Sequence, residues 1–334
     1  MQSAADPVLV EVTRGALVES VHRGRVAVTD PDGTLVAALG EVGVPMFPRS
    51  ASKPLQAVGM LRAGLDLDGP ELAVACASHS GEPFHVEAVE RILAGVGLSE
   101  ADLQNTPDWS LDDTVRDAVV RAGGTPTRLL QNCSGKHAAM LRTAVRAGRD
   151  RRTYLDPDHP VQRVVAEAIA ELAGEAPGPA AVDGCGAPLL PLTLTGLARA
   201  FGRLAGAPHG AEQQVVAAVR AHPTYVSGTR RDEAALVAGV PGLVAKAGAE
   251  AVYAVGLADG TGIALKVADG SPRARPVAMA GVLLALGLDA PVLARQASVP
   301  VLGHGERVGE VRPAAALLRD LRTGTGIDTR LSQR

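Results

Sequence analysis

A serine and a lysine stand three residues apart in the segment RSASKPLQ, which runs from Arg49 to Gln56. A serine hydroxyl can attack a carbonyl carbon when a nearby base removes its proton, and a neutral lysine is one such base. Ser50 and Lys53 could form this pair. The pattern is short, however, and the same residues suit a helix start, because Pro54 is tolerated in a first turn. From these residues alone, both interpretations stay open.

Two further segments place polar side chains beside apolar runs. CASHSGE puts Ser78 and His79 after the apolar run LAVAC at 72–76, for which we predict a short strand. Hydroxyl groups at the end of a buried strand can form a site, whereas a turn with backbone-bonded serines needs no function. ALKVADG places Lys266 in another predicted strand, on the same face as Ala264 and Ala268. A lysine that faces solvent explains this last segment equally well.

Two cysteines also stand next to polar groups. QNCSGKH carries Cys133, Lys136 and His137 where a helix is predicted to begin, and the free N–H groups of a helix start attract anions. A simple helix cap by the serine of this segment is the alternative. DGCGAP carries Asp183 and Cys185 in a glycine-rich loop, which we interpret as part of a site rather than as packing.

The composition excludes several classes of protein. The chain has 334 residues, of which 46% are hydrophobic, so it can bury a large core. A net charge of −3 and an aromatic content of 2% give neither the basic surface nor the stacking platform that nucleic acids require. Apolar runs stop well short of the roughly 20 residues of a membrane span. The start MQSAADPVLVEV shows no signal peptide, and three cysteines fit a reducing compartment, so we expect a cytoplasmic protein.

The order of predicted elements indicates an α+β fold. Strands and a DPDG turn are predicted between 8 and 42, helices dominate from about 54 to 240, and a hairpin follows around Asp259-Gly260. Strands from both chain ends can pair into one antiparallel sheet with the helices packed on it. We therefore expect a single domain over 1–313, with the helical middle inserted between the strands. Residues 314–334 are expected to form a loosely ordered tail.

Taken together, these motifs resemble a known enzyme family. RSASKP, CASHSGE, NCSGKH, DGCGAP and ALKVADG, in this order and spacing, closely resemble the rhizobial class of bacterial L-asparaginases. YLDPDHPVQ at 154–162 and KAGAEAVYAVG at 246–256 extend the resemblance over about 8–311. It implies a fold like that of serine β-lactamases and glutaminases, hydrolysis of L-asparagine, and a homodimer.

The resemblance also implies a role for each matched residue. Two serine–lysine pairs would be catalytic, Ser50 with Lys53 and Ser78 with Lys266. A zinc ion would be held by Cys133, Lys136 and Cys185, and the substrate pocket would be lined by Arg49, His79, His137 and Asp183. Two thiolates favour zinc over magnesium or calcium. On ligand chemistry alone His137 would be the better third ligand, since lysine must first lose a proton.

These residue types predict an acyl-enzyme mechanism. One serine would attack the carboxamide, release ammonia and be freed by water. The order that we favour has Ser50 attack with Lys53 as base, while Ser78 and Lys266 relay protons; the opposite order stays open. A lysine acts as a base only when neutral, so activity should rise with pH.

Two other functions are compatible with parts of the sequence. Penicillin-interacting enzymes also begin with Ser-x-x-Lys, but their Lys-Thr-Gly is absent, and the nearest match is Arg322-Thr323-Gly324. A non-enzymatic metal or redox binder would use Cys133 and Cys185 but leaves the serines and lysines unexplained.

Overall fold

The computed structural model describes residues 6–324, which form twelve strands and thirteen α-helices. The strands are β1 (Val8–Arg14), β2 (Leu17–Thr29), β3 (Leu35–Leu39), β4 (Pro45–Met46), β5 (Ala181–Val182), β6 (Pro188–Leu189), β7 (Leu192–Thr193), β8 (Val244–Gly248), β9 (Val252–Gly256), β10 (Gly262–Val267), β11 (Val299–Gly303) and β12 (Glu306–Pro313). The helices are α1 (Lys53–Arg62), α2 (Gly69–Ala75), α3 (Pro83–Ala94), α4 (Asp113–Arg121), α5 (Ser134–Arg146), α6 (Pro160–Ala173), α7 (Leu194–Gly206), α8 (Gly210–Ala221), α9 (Pro223–Val226), α10 (Asp232–Gly239), α11 (Ala274–Ala285), α12 (Pro291–Gln296) and α13 (Ala315–Gly324).

The chain divides into two compact units, each of which is discontinuous in sequence. The first contains residues 1–51, 193–206 and 235–334, and the second contains 52–192 and 207–234. The first unit holds the large sheet, and the second holds most of the helices.

The sheet of the first unit joins strands from both ends of the chain. Its order is β11-β12-β1-β2-β10-β9-β8, with β3 also paired to β2, and every pairing is antiparallel. β2 and β10 meet in register at Val26 and Leu265, both fully buried. The expected α+β class with one antiparallel sheet is therefore confirmed.

Both predicted turns of this sheet are present. In DPDG, Gly33 donates its N–H to Asp30 O over 2.9 Å and has a φ of +84°, a conformation that glycine adopts without strain. At the second turn, Gly260 has a φ of +93° and donates to Leu257 O over 3.0 Å. Hairpin β9–β10 therefore forms where its turn residues predict it.

Helix α7 lies directly on the backbone of this sheet because small residues leave room for it. A Cβ atom added to Gly262 would stand 1.9 Å from Ala198 O, and one added to Gly256 would stand 2.1 Å from Phe201 O. Any side chain at these two positions would force the helix away from the sheet.

The second unit is a helical layer in which two helices that carry polar motifs cross closely. A Cβ atom on Gly135, in the first turn of α5, would stand 2.2 Å from Val74 O of α2. The start of α5, with Cys133 and Lys136, is thereby held against the end of α2, which leads into Ser78.

One prediction needs correction here. The run LAVAC is not a strand: it belongs to helix α2, which Asp68 precedes and in which Pro70 occupies the first turn. A short apolar run fits either element, and the proline and preceding Asp favour a helix start.

The segment for which a loosely ordered tail is predicted begins with helix α13, which buries Leu317 and Leu321 and packs on α11. The rest of the predicted tail lies outside the described residues.

Candidate active site

The amine of Lys53 is the centre of a buried polar cluster in the second unit. Lys53 is 1% exposed. Its Nζ donates to Ser78 Oγ over 3.2 Å, to Cys133 Sγ over 3.1 Å and to the carbonyl oxygen of Ala77. One amine therefore joins the first residue of α1, the loop after α2 and the residue before α5.

The loop that carries Ser78 is held by backbone hydrogen bonds on both sides. Ser78 N donates to Val226 O over 3.1 Å, and Ser80 N donates to Ser227 O over 2.7 Å. His79 N donates to Asn132 O over 3.2 Å, next to Cys133. The hydroxyl of Ser78 is thus fixed beside Lys53.

The side chain of His79 supports this loop from within. Its Nδ1 accepts the N–H of Gly81 over 3.1 Å, so its Nε2 carries the proton and donates to Ser134 Oγ over 2.8 Å. Burial, helped by the nearby His85 and Lys53, lowers the pKa of His79 well below its usual value. Because both ring nitrogens are engaged by the protein, the geometry favours a positioning role over the substrate contact predicted for His79.

Cys133 and Cys185 meet in a small buried cluster with Ala187. A hydrogen bond between the two thiols raises the pKa of Cys133 and lowers that of Cys185. Lys136 Nζ donates to Cys185 Sγ over 3.2 Å. Burial would lower the pKa of Lys136, but the charges of Cys185, Cys133 and Asp183 together raise it.

Asp183 and Cys185 occupy the turn between the short paired strands β5 and β6. Gly186 closes this turn with a φ of +89° and donates to Asp183 O over 2.8 Å. The glycine-rich loop predicted from DGCGAP therefore delivers its cysteine to the segment that begins α5.

His137 is fully buried and retains one unpaired ring nitrogen. Tyr154 Oη accepts the N–H of Gln104 over 3.1 Å and lies 2.8 Å from His137 Nδ1, to which it donates. Within the described residues, Nε2 of His137 has no hydrogen-bond partner. Burial lowers the pKa of His137 well below its usual value, so the ring is neutral.

The donors around the two cysteines fit a zinc ion in their chemistry. In residues 6–324 no group of three His, Cys, Asp or Glu side chains is arranged to hold a metal. The donor set here is different, because it combines two neighbouring thiols with the amine of Lys136. His137 is not a donor to a metal in this arrangement, because its Nδ1 accepts from Tyr154 and its Nε2 therefore carries the ring proton.

In the first unit, Ser50 lies in a turn that packs against the edge strand β8. Arg49 has a φ of +52°, an uncommon conformation for a residue with a long side chain. A Cβ atom on Gly248 would stand 2.5 Å from Pro48 O and 3.1 Å from Ala51 N, so β8 touches this turn. The strained backbone marks the turn as a functional candidate.

Lys246 is a candidate that the sequence analysis did not single out. It is completely buried in β8, and its Nζ donates to Ala247 O over 2.8 Å. Because side chains alternate along a strand, Lys246 faces the same side as Gly248, toward the turn that carries Ser50. The sequence motif that could have identified it is Lys246-Ala247-Gly248, which differs from the Lys-Thr-Gly of penicillin-interacting enzymes only at its middle residue.

Lys266 has a different environment in the same unit. It is half-buried in β10, opposite Arg25, and its Nζ donates to the carbonyl oxygen of Val267. Burial lowers its pKa, while the carboxylates of Glu250 and Asp269 act in the opposite direction. Its predicted pairing with Ser78 stays a prediction.

Comparison with known proteins places the chain in a family. The sequence profile described as L-asparaginase II matches residues 10–313. The chain belongs to the L-asparaginase II family. The resemblance inferred from its motifs is thereby confirmed. No curated protein matches the chain significantly.

Several solved structures are similar to parts of this family member at low sequence identity. Mglu in 4.3 M NaCl is 17% identical over 90% of this chain and 70% of its own, with a TM-score of 0.45. A β-lactamase from Mycobacterium bovis is 16% identical over 78% of this chain and 94% of its own, also with a TM-score of 0.45. A Bacillus glutaminase is 12% identical over 75% of this chain and 84% of its own, with a TM-score of 0.34. The chain covers 64% of native Mglu.

No helix within residues 6–324 has both the length and the apolar character that crossing a membrane requires.

The hydrogen bonds of His79 predict a large effect on stability. His79→Ala leaves the Gly81 N–H and Ser134 Oγ without their buried partner, so we expect the free energy of unfolding to fall by about 3 kcal/mol. Urea denaturation followed by circular dichroism measures it. His209→Ala is the control, since His209 is exposed and caps nothing with its side chain. A loss as small as that of the control would contradict the positioning role.

Proposed function

We propose that this protein is an L-asparaginase that hydrolyses L-asparagine to L-aspartate and ammonia through a serine acyl-enzyme. Membership of the L-asparaginase II family supports the substrate class, a small amide. The observation that carries the mechanism is the buried contact of Lys53 Nζ with Ser78 Oγ. A hydroxyl and an amine at this distance can exchange a proton directly.

The reaction needs one base that acts twice. To act as the base, Lys53 must be in its neutral form, in which Nζ accepts from Ser78 Oγ instead of donating to it, and it then takes the Ser78 proton as the oxygen attacks the carboxamide carbon. The tetrahedral intermediate collapses when Lys53 returns that proton to the leaving nitrogen, which departs as ammonia. Water then attacks the ester, Lys53 again takes a proton, and the proton returns to Ser78 Oγ as L-aspartate leaves.

The two serines exchange roles relative to the order favoured from the sequence. There Ser50 was paired with Lys53, whereas the contact observed within the second unit joins Lys53 to Ser78. In the first unit, Gly248 of β8 packs against the turn that carries Ser50, and the buried Lys246 lies two residues before it on the same strand. We therefore propose Ser78 with Lys53 as the acylated pair, and Lys246 as the lysine that serves Ser50.

Zinc belongs to this proposal as a bound ion near the catalytic lysine. Cys133, Cys185 and Lys136 would hold it, and each must give up its proton to do so. When bound, its positive charge would favour the neutral form of a neighbouring amine such as Lys53. A homodimer and a cytoplasmic location are also proposed, the first from the resemblance and the second from three buried cysteines that form no disulfide.

A penicillin-interacting activity is the second candidate, because Lys246-Ala247-Gly248 on an edge strand is similar to the Lys-Thr-Gly of those enzymes. The discriminating assay uses asparagine, glutamine and a chromogenic β-lactam, with ammonia release and ring opening as readouts. Ammonia from asparagine with no ring opening supports the first proposal. A reaction with none of the three supports the non-enzymatic metal binder.

The serine mechanism predicts that Ser78→Ala and Ser50→Ala each reduce ammonia release from asparagine to below about a thousandth of the wild type. Circular dichroism should be unchanged. Mass spectrometry of acid-quenched enzyme should find the aspartyl ester on the peptide that contains Ser78. An ester on Ser50 would reverse the roles, and activity within about tenfold of wild type in either variant would exclude the two-serine mechanism.

The two candidate lysines of the first unit can be separated by one matched substitution. Lys246→Met should abolish activity, because it removes a buried amine beside the turn of Ser50 and keeps the side-chain volume. Lys266→Met should retain at least about half of kcat/KM, because its amine lies among carboxylates at the end of β10. The reverse result would restore the pairing of Lys266 with Ser78.

The metal proposal predicts about one zinc ion per chain in protein purified without chelator. The double variant Cys133→Ser/Cys185→Ser should lose it, since hydroxyls replace both soft donors. Cys76→Ser should keep it, because Cys76 is buried at the end of α2. Plasma mass spectrometry measures the content, and equal zinc in the double variant and the wild type would refute the site.

A further inference from the structure

An unsatisfied acceptor is buried in helix α3, close to the loop of Ser78. His85 is completely buried, and its Nε2 lies 2.9 Å from Thr224 O. A carbonyl oxygen only accepts hydrogen bonds, so Nε2 carries the ring proton and Nδ1 presents a lone pair. Burial lowers the pKa of His85 to about 4, which keeps the ring neutral. Among the described residues, Nδ1 has no hydrogen-bond partner.

A carboxylate faces this lone pair. Glu82 Oε2 lies 4.0 Å from His85 Nδ1, and its side chain is 13% exposed. Thr229 donates to this carboxylate from its N–H over 2.9 Å and from its Oγ1 over 2.6 Å, which fixes the orientation. Two acceptors at 4.0 Å cannot bond to each other, but a donor between them can serve both.

A third group borders the same space. Ser80 is 1% exposed, and in the described part of the chain its Oγ has no hydrogen-bond partner. A Cβ atom on Gly228 would stand 2.1 Å from Ser80 Oγ and 3.0 Å from Glu82 Oε2. The missing side chain at Gly228 therefore allows its backbone to lie close to both oxygens, and a side chain there would clash with Ser80 Oγ.

We propose that Ser80 Oγ, Glu82 Oε2 and His85 Nδ1 bind a primary ammonium group, either the α-ammonium of the substrate or the ammonium ion released by the reaction. The proposal rests on the amidohydrolase function proposed above. Three acceptors match the three N–H donors of an ammonium group, and Glu82 supplies the opposite charge. A water molecule could also bond to all three groups, because the Ser80 hydroxyl can donate to it, but only an ammonium group brings a charge opposite to that of Glu82.

The position of these groups suits a substrate attacked by Ser78. Ser80 follows two residues after Ser78 in the same loop, so their Cα atoms are at most about 7 Å apart. In asparagine, two carbon atoms separate the α-nitrogen from the carboxamide carbon. The α-ammonium can therefore reach the three acceptors while the carboxamide lies at Ser78 Oγ.

The same place also has a route to solvent. Glu82 and the adjacent Gly81 line a groove of about 710 Å³ between α3 and α4. Released ammonium could leave through it, so the test must separate the two sources.

The test is calorimetric binding of L-aspartate, succinate and ammonium chloride to the full-length protein. Succinate is aspartate without its amino group. If the site holds the α-ammonium, aspartate should bind at least about tenfold more tightly than succinate. Glu82→Gln and Ser80→Ala should each remove that preference and leave succinate binding unchanged. The control is Glu87→Gln, the same substitution at an exposed residue of α3.

A site for the product ion gives another pattern. The ratio of aspartate to succinate affinity would then stay the same in every variant, while Glu82→Gln and Ser80→Ala would weaken ammonium binding at least about tenfold. If neither the ratio nor ammonium binding changes, the space holds water only and the proposal is overturned. The Glu82→Gln variant could fail to fold, because it weakens the hydrogen bonds from Thr229. In that case the Ser80→Ala variant decides the test, because the Ser80 hydroxyl makes no hydrogen bond among the described residues.

Failure of this inference can be told apart from failure of the proposed function. Hydrolysis of asparagine by the wild type tests the function, and binding of aspartate needs no turnover. Normal hydrolysis with unchanged binding in both variants would overturn the ammonium site alone. Preferential binding of aspartate without any hydrolysis would overturn the asparaginase proposal alone.

Discussion

The burial of the Lys53 amine is the constraint on which the arrangement of the second unit depends. An amine with almost no solvent contact is costly unless its donors are all engaged. Here the partners are Ala77 O, Ser78 Oγ and Cys133 Sγ, from three different segments. Helix α1, the loop after α2 and the start of α5 must therefore meet at one point.

Close backbone approach is what allows these segments to meet. Gly135 lets α5 begin against Val74 O, and Gly59 lets α1 cross α6 with its Cα near Val165. Larger residues at either position would separate the helices and move Cys133 or Lys53. In the motif NCSGKH, the glycine thus serves packing, while the cysteine and lysine serve the site.

The polar groups around this centre divide into those that hydrogen-bond to other described residues and those that do not. His79 uses both ring nitrogens to hold the Ser78 loop. His85, stacked on His79 at 5.1 Å, keeps one nitrogen unpaired beside Glu82. Two histidines whose rings are stacked therefore differ in their hydrogen bonds, and their residue type alone does not reveal this difference.

The sequence by itself determined the elements and the family, because turn residues, apolar periodicity and motif spacing are local properties. The hairpins at Gly33 and Gly260 and the start of helix α5 formed where their residues predict them. LAVAC was predicted to be a strand because a five-residue apolar run shows no helical period, and it forms part of helix α2. Which distant groups meet was decided only by tertiary structure. Lys53 contacts Ser78, 25 residues away, and β8, which contains Lys246, packs against the turn of Ser50 through Gly248. Contacts of this kind depend on how distant segments pack, and spacing along the chain does not encode them.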